Sequence, residues 1–217
     1  VAAIRILGID PGTQVVGFGC LELSVESGAR SSSAAPLALR ASNVVRAGAV
    51  GSESVRPVEC GVLRLGARGA TVPERLRELA DRFRELVARL APHELALEQA
   101  FYGKSVQSAL RIGEARGVVL AEASRAELAI HEYAPARIKR CVTGRGDAPK
   151  EVVADMVVRQ LGQAAMAALV GMPRDASDAL AVALTRVEER RSPLLQAASN
   201  PLLAGSLGEI PSPRRRS

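Results

Sequence analysis

The sequence predicts an α/β protein built on a mixed five-stranded sheet flanked by helices. Strand-length apolar runs recur at residues 4–9, 17–23, 60–65, 94–98 and 128–133. The first three follow one another with no helical pattern between them, as an antiparallel meander requires. From residue 71 onward strands alternate with amphipathic stretches, the order of a sheet with helices packed on its faces.

Each element has its own signal. Ile4 to Ile9 is an apolar run of strand length, and Asp10-Pro11-Gly12-Thr13 is turn chemistry, so residues 17–23 return as a hairpin partner. Residues 24–57 are rich in Ser, Ala and Arg with weak periodicity and read as a loop insertion, partly disordered. Cys60 to Leu65 is the third strand. Thr71 caps a helix whose apolar positions (Leu76, Leu79, Ala80, Phe83, Leu86, Val87, Leu90) recur at i, i+3, i+4, i+7, with Pro92 as its stop. Residues 94–98 form a short strand ending in a carboxylate. Residues 104–125 read as a helix bearing small residues (Ala109, Gly113, Ala115, Gly117), and 128–133 as the fifth strand. A helical turn at 135–142 leads to the Gly144-Arg145-Gly146 loop. Helices follow from Lys150 to Leu161 and from about Asp175 to Glu189. Residues 192–217 end in Arg214-Arg215-Arg216-Ser217 and are expected to be a disordered basic tail, leaving 1–191 as one domain.

Composition narrows the function. Of 217 residues, 47% are hydrophobic and 24% charged, the balance of a globular chain rather than a disordered one. No apolar run reaches the roughly 20 residues of a membrane span. Arg5 and Asp10 interrupt the early apolar stretch, which lacks the form of a secretory signal. Cys20, Cys60 and Cys141 are far apart with no CxxC, so neither a disulfide framework nor a zinc site is expected, and a reducing cytoplasm is the expected location. The net charge of +6 and pI near 9.9 favour a polyanionic partner.

Four acids stand out. Asp10 and Glu98 end strands, and Asp175 and Asp178 share one helical face three residues apart. A site for hard cations needs several oxygen ligands, and strand ends and a helix terminus hold them rigidly. Two of the acids also have a plainer reading, Asp175 as a helix N-cap and Asp10 as a turn residue, whereas Glu98, at the end of Leu95-Ala96-Leu97, would otherwise lie close to the core. The lysines are a second clue. Lys occurs only at 104, 139 and 150, and the other 26 basic residues are Arg. A compact ammonium differs from a guanidinium where a point charge must meet a phosphate. Random drift is the competing explanation.

Several motifs resemble the RuvC Holliday junction resolvases. They are Ile6-Leu7-Gly8-Ile9-Asp10-Pro11-Gly12 with Gly17-Phe18-Gly19, the run from Leu97 to Lys104, Ser108-Ala109-Leu110 to Glu114-Ala115-Arg116-Gly117, and Glu132-Tyr133-Ala134-Pro135. Ile138-Lys139, Gly144 to Lys150, and Asp175 to Ala181 continue the match, in order, across most of residues 4–185. The resemblance implies an RNase H-like fold, a homodimer, and paired incisions of four-way DNA junctions during recombination and repair. It implies two Mg²⁺ per active site, with Mn²⁺ able to substitute, and 5′-phosphate and 3′-hydroxyl products. Asp10, Glu98, Asp175 and Asp178 match the family's metal-binding acids, with Asp10 bridging the ions. Phe101 matches an aromatic that packs on bases at the crossover. Lys139 and Lys150 match basic residues near the cleaved strand, and Lys104 is expected to contact DNA. A branch-migration complex of the RuvA and RuvB type is the implied partner. The long 24–57 segment, the tail and Ser105, where Asn is usual, depart from the pattern. Asp10-Pro11-Gly12-Thr13 also resembles the phosphate loop of actin-like ATPases and sugar kinases, but only one such loop is present. A non-catalytic junction-binding module would not need the four acids.

Overall fold

A computed structural model describes residues 2–25, 53–99, 106–169, 171 and 173–192. Five strands, β1 (Ala2–Asp10), β2 (Val15–Val25), β3 (Glu53–Arg64), β4 (Glu94–Glu98) and β5 (Ala129–Tyr133), form one sheet in the order β3-β2-β1-β4-β5. The β1–β2 and β2–β3 pairs are antiparallel, whereas β4 pairs parallel to both β1 and β5. The sheet is therefore mixed, with the meander at one side. The helices are α1 (Val72–Leu90), α2 (Val106–Arg125), α3 (Pro135–Thr143), α4 (Lys150–Leu169) and α5 (Arg174–Arg191).

Alternation along β1 separates two cores. Leu7 and Ile9 point into a layer with Leu79, Phe83 and Leu86 of α1 and Val119 and Ala123 of α2. Ile6 points the other way, into a layer with Ile138 of α3, Val153 and Val157 of α4, and Leu180 and Leu184 of α5. Gly8 shares that second face by the same period of two. At the start of α1 the Glu74 carboxylate accepts hydrogen bonds from the Thr71 amide (2.7 Å) and hydroxyl (2.8 Å), a capping interaction. The helix ends at Leu90 with Ala91 in the left-handed region before Pro92.

Two elements run longer than expected. The β2–β3 hairpin extends into the segment read as a loop insertion: β2 reaches Val25, and β3 starts at Glu53 rather than Cys60. Pairing stabilises these polar residues as strand, and Pro57 is accommodated on the sheet edge where the register shifts opposite Cys20 and Leu21. Residues 26–52 lie outside the described residues, as do the tail residues 193–217. α4 continues past Leu161 to Leu169, but Gly162 is non-helical (φ 72°, ψ −162°), so the expected stop coincides with a real break. No helix among the described residues is long and apolar enough to cross a membrane.

Candidate active site

The sheet itself brings the first two acids together. Ile9 of β1 pairs with Leu97 of the parallel β4, so Asp10 and Glu98 follow at the carboxyl ends of adjacent strands. In open α/β sheets this edge is where ligands bind.

Glycines bring in the other two. A Cβ on Gly8 would lie 2.1 Å from the carbonyl oxygen of Ala179 and 2.8 Å from the amide nitrogen of Ala183. One on Gly17 would lie 2.0 Å from the Asp175 carbonyl oxygen, and one on Gly19 2.7 Å from Leu180. The backbone of α5 thus rests directly on β1 and β2, and no side chain fits between. Small residues on the helix (Ala176, Ala179, Ala183) complete the seam, and all are fully buried. Gly17 is the register partner of Asp10, so the first turn of α5, with Asp175 and Asp178, is laid over the end of β1. The glycines at 8, 17 and 19 are in this sense part of the site. Their sequence signal was present, because same-face glycines in neighbouring strands mark close backbone approach.

Electrostatics show that the four acids share one field. Burial pushes the Asp10 carboxyl from its ordinary 3.8 up to about 7, and the charges of Glu98, Asp178 and Asp175 add to the effect while Lys150 opposes it. Glu98 is also raised, by burial first and Asp178 next, against Lys150 and a hydrogen bond from Asp10. Lys150, at the start of α4, donates to Asp178 Oδ2 at 3.0 Å, and that contact raises its own pKa. Lys139 of α3 lines the same cleft with Glu98, Lys150 and Asp178, and Pro135, Ile138 and Val153 supply its apolar walls.

The site thus joins Asp10, Glu98, Asp175, Asp178, Lys139 and Lys150. Phe101 and Lys104 lie outside the described residues. No three His, Cys, Asp or Glu side chains among the described residues close round one point at metal-ligand spacing. Instead, raised pKa values favour a proton on Asp10 and Glu98, and the ammonium of Lys150 meets Asp178. Both devices do what a divalent cation does, and an oxygen-only donor set suits a hard one.

Residues 38–186 match the family model for the crossover junction endodeoxyribonuclease RuvC. The chain belongs to the RuvC family. The RuvC of Chlorobium phaeovibrioides, named a crossover junction endodeoxyribonuclease, is 40% identical over 182 residues, 82% of this chain and 78% of that one. That of Halorhodospira halophila is 36% identical over 195 residues, covering 90% and 96%. The solved RuvC of Thermus thermophilus superposes with a TM-score of 0.62 at 27% identity, covering 87% of this chain and 96% of that one. A yeast mitochondrial Holliday junction resolvase, at 14% identity and a TM-score of 0.54, covering 94% and 86%, shares the fold alone. The fold of this RuvC-family chain is RNase H-like.

Proposed function

We infer that this chain is an endodeoxyribonuclease that resolves four-way DNA junctions, the activity carried by the names of its RuvC relatives. The observation that supports it most is that Asp10, Glu98, Asp175 and Asp178, from β1, β4 and α5, share one electrostatic field, with Glu98 and Asp178 lining a cleft together with Lys139 and Lys150. In this reading the four acids hold two divalent ions, Mg²⁺ with Mn²⁺ able to substitute. When bound, the ions supply an activated water and neutralise charge at the phosphate.

The chain's own groups orient the reaction. The Asp10 and Glu98 carboxylates are held by strand pairing, and Asp175 and Asp178 by the glycine seam, so a phosphodiester meets donors that need little rearrangement. Asp10 must be ionised to bind metal; its carboxyl, raised to about 7, holds a proton more readily than an ordinary aspartate does, and a cation binding there would release it. Lys150 and Lys139 bring ammonium charges to the phosphate oxygens. Phe101 stacks on opened bases and Lys104 contacts the backbone. The products carry 5′-phosphate and 3′-hydroxyl ends, which a ligase can seal. A homodimer matches the two-fold symmetry of a junction and sets one site on each of two opposing strands. A branch-migration complex of the RuvA and RuvB type is its partner, and the enzyme acts in the cytoplasm.

The test is cleavage of a synthetic four-way junction with Mg²⁺ beside a linear duplex of the same sequence. Paired, ligatable cuts in the junction alone are the expected result. Equal cutting of the duplex, or no Mg²⁺-dependent cutting, would overturn the reading.

A further inference from the structure

We propose that the cavity between the β1–β2 turn and the N-terminal parts of α1 and α2 is a subsite for a second backbone phosphate of the junction, distinct from the phosphate at the acids. The proposal rests on the reading of the chain as a junction nuclease and deepens it. The cavity holds about 120 Å³, several times the roughly 30 Å³ share of one water. Thr13, Gln14, Arg75, Arg111 and Glu114 form its polar wall and Leu76 part of its floor. Thr13 is three residues beyond Asp10, at most about 11 Å along the chain, so both sites can be reached from one stretch of DNA.

Arg75 carries the argument. It is half-buried, and no carboxylate pairs with it among the described residues. The nearby acids are engaged elsewhere. Glu74 accepts from Thr71, Glu78 accepts from the Gly66 amide and pairs with Arg82, and Glu114 pairs with Arg111 through both oxygens at 3.0 Å. A Cβ on Gly66, which has φ +75°, would lie 2.8 Å from Arg75 Cγ, so the arginine stem lies close against this loop. Among the described residues the Thr13 hydroxyl and Gln14 amide have no protein hydrogen bond. Only the Gln14 carbonyl is used, by the Leu65 amide at 2.8 Å. A guanidinium, a hydroxyl and an amide without protein partners therefore line one cavity beside a helix N-terminus, which also favours an anion. The Glu114 carboxylate faces the same space, and its pairing with Arg111 offsets its charge.

The test measures binding of a fluorescent four-way junction by the full chain across a KCl series with EDTA, so that nothing is cut. Arg75→Gln should weaken binding on the order of tenfold and lower the log–log salt slope by about 0.9, the value for one lost phosphate contact. Thr13→Ala should weaken it less, and the double variant should lose less than the sum, because both groups serve one phosphate. Should Arg75→Gln not fold, Arg75→Lys should keep the slope and still lose affinity several-fold, because a point charge replaces the guanidinium fork. An unchanged slope for Arg75→Gln, or strict additivity with Thr13→Ala, would overturn the subsite. So would a melting temperature raised by inorganic phosphate in the wild type while the junction slopes of wild type and variant coincide, which marks a free-phosphate site. Failure of the nuclease reading looks different: wild-type protein would leave the junction uncut in Mg²⁺ whatever Arg75 does to binding.

Discussion

The two ends of α5 meet buried acids in opposite ways. Near its C-terminus, Glu94 receives Arg186 at 2.7 Å and also Arg190, while Glu189 receives Arg137 at 2.6 Å, Arg186 at 2.9 Å and the Tyr133 hydroxyl at 2.5 Å. Their side chains are only 9% and 3% exposed, yet each carboxylate is met by guanidinium groups whose planar forks suit it. Near its N-terminus, Asp10, Glu98, Asp175 and Asp178 have, among the described residues, one ion pair, the ammonium of Lys150 on Asp178, with Lys139 lining the same cleft, and Asp10 is raised to about 7. Where charge is balanced within the chain, the acids bind elements together. Where it is left over, the protein stores a demand that a cation from outside can meet.

The sharpest break in that comparison is Asp10→Asn. It should nearly abolish junction cleavage while leaving junction affinity within a few-fold if, as proposed, the carboxylate holds metal and does not read DNA shape. A gel shift showing binding lost together with cutting would give Asp10 a structural role. Glu189→Ala should do the reverse. Removing one partner of a buried ion pair costs about 3–5 kcal/mol, so the variant should unfold at markedly lower denaturant. At a temperature where it is folded, it should still cut in Mg²⁺. A stability change below about 1 kcal/mol would show that the arginines at this end find water as readily as carboxylate.

Lys150→Arg probes the cation paired with Asp178 at the acid-rich end. The ammonium contacts Asp178 at 3.0 Å but is 66% exposed, so the contact adds little stability and charge alone should be preserved by the substitution. The bulkier, more weakly hydrated guanidinium should displace its charge from the phosphate. Misplacements of this kind cost on the order of a hundredfold in rate. Single-turnover cutting should fall sharply with little change in binding. Lys139→Arg should follow more mildly, and Arg140→Lys should change little. Wild-type rates for both Lys→Arg variants would leave drift as the reason for the three lysines.

These contrasts bear on what the chain reveals before it folds. Asp10, Glu98 and the 175/178 pair were legible because each sits at a visible element end, and the mixed sheet followed from three strands in succession and then alternation. The Arg186–Glu94 and Arg190–Glu94 pairs were not, since 92 and 96 residues separate the partners and an isolated Glu at a strand start looks like a surface residue. The first residues of β3 were hidden for a similar reason. Ser54, Arg56 and Pro57 have poor strand character, and pairing with β2 rather than local pattern makes them strand. The glycine seam was visible only as Gly8 in one strand and Gly17 and Gly19 in the next. What they share is a helix more than 150 residues away.

The smallest expected effect tests whether the unbalanced end really stores repulsion. In the metal-free protein Asp10 titrates near 7, against 3.8 as its ordinary value. Between those values the native state holds a proton that the unfolded chain has released. Stability from this group is therefore complete below about pH 4 and is lost as pH rises through about 7, a contribution on the order of a few kcal/mol. Asp10→Asn removes both the titration and one negative charge. In EDTA the melting temperature of the wild type should fall relative to that of the variant as pH is raised from 5 to 8, and at pH 8 the inactive variant should melt higher. Mg²⁺ should reverse the order by stabilising the wild type more, since it replaces the lost proton with a cation. Parallel melting curves for the two proteins across that pH range would mean that Asp10 ionises normally in the free protein and that the two ends of α5 differ less than their geometry indicates.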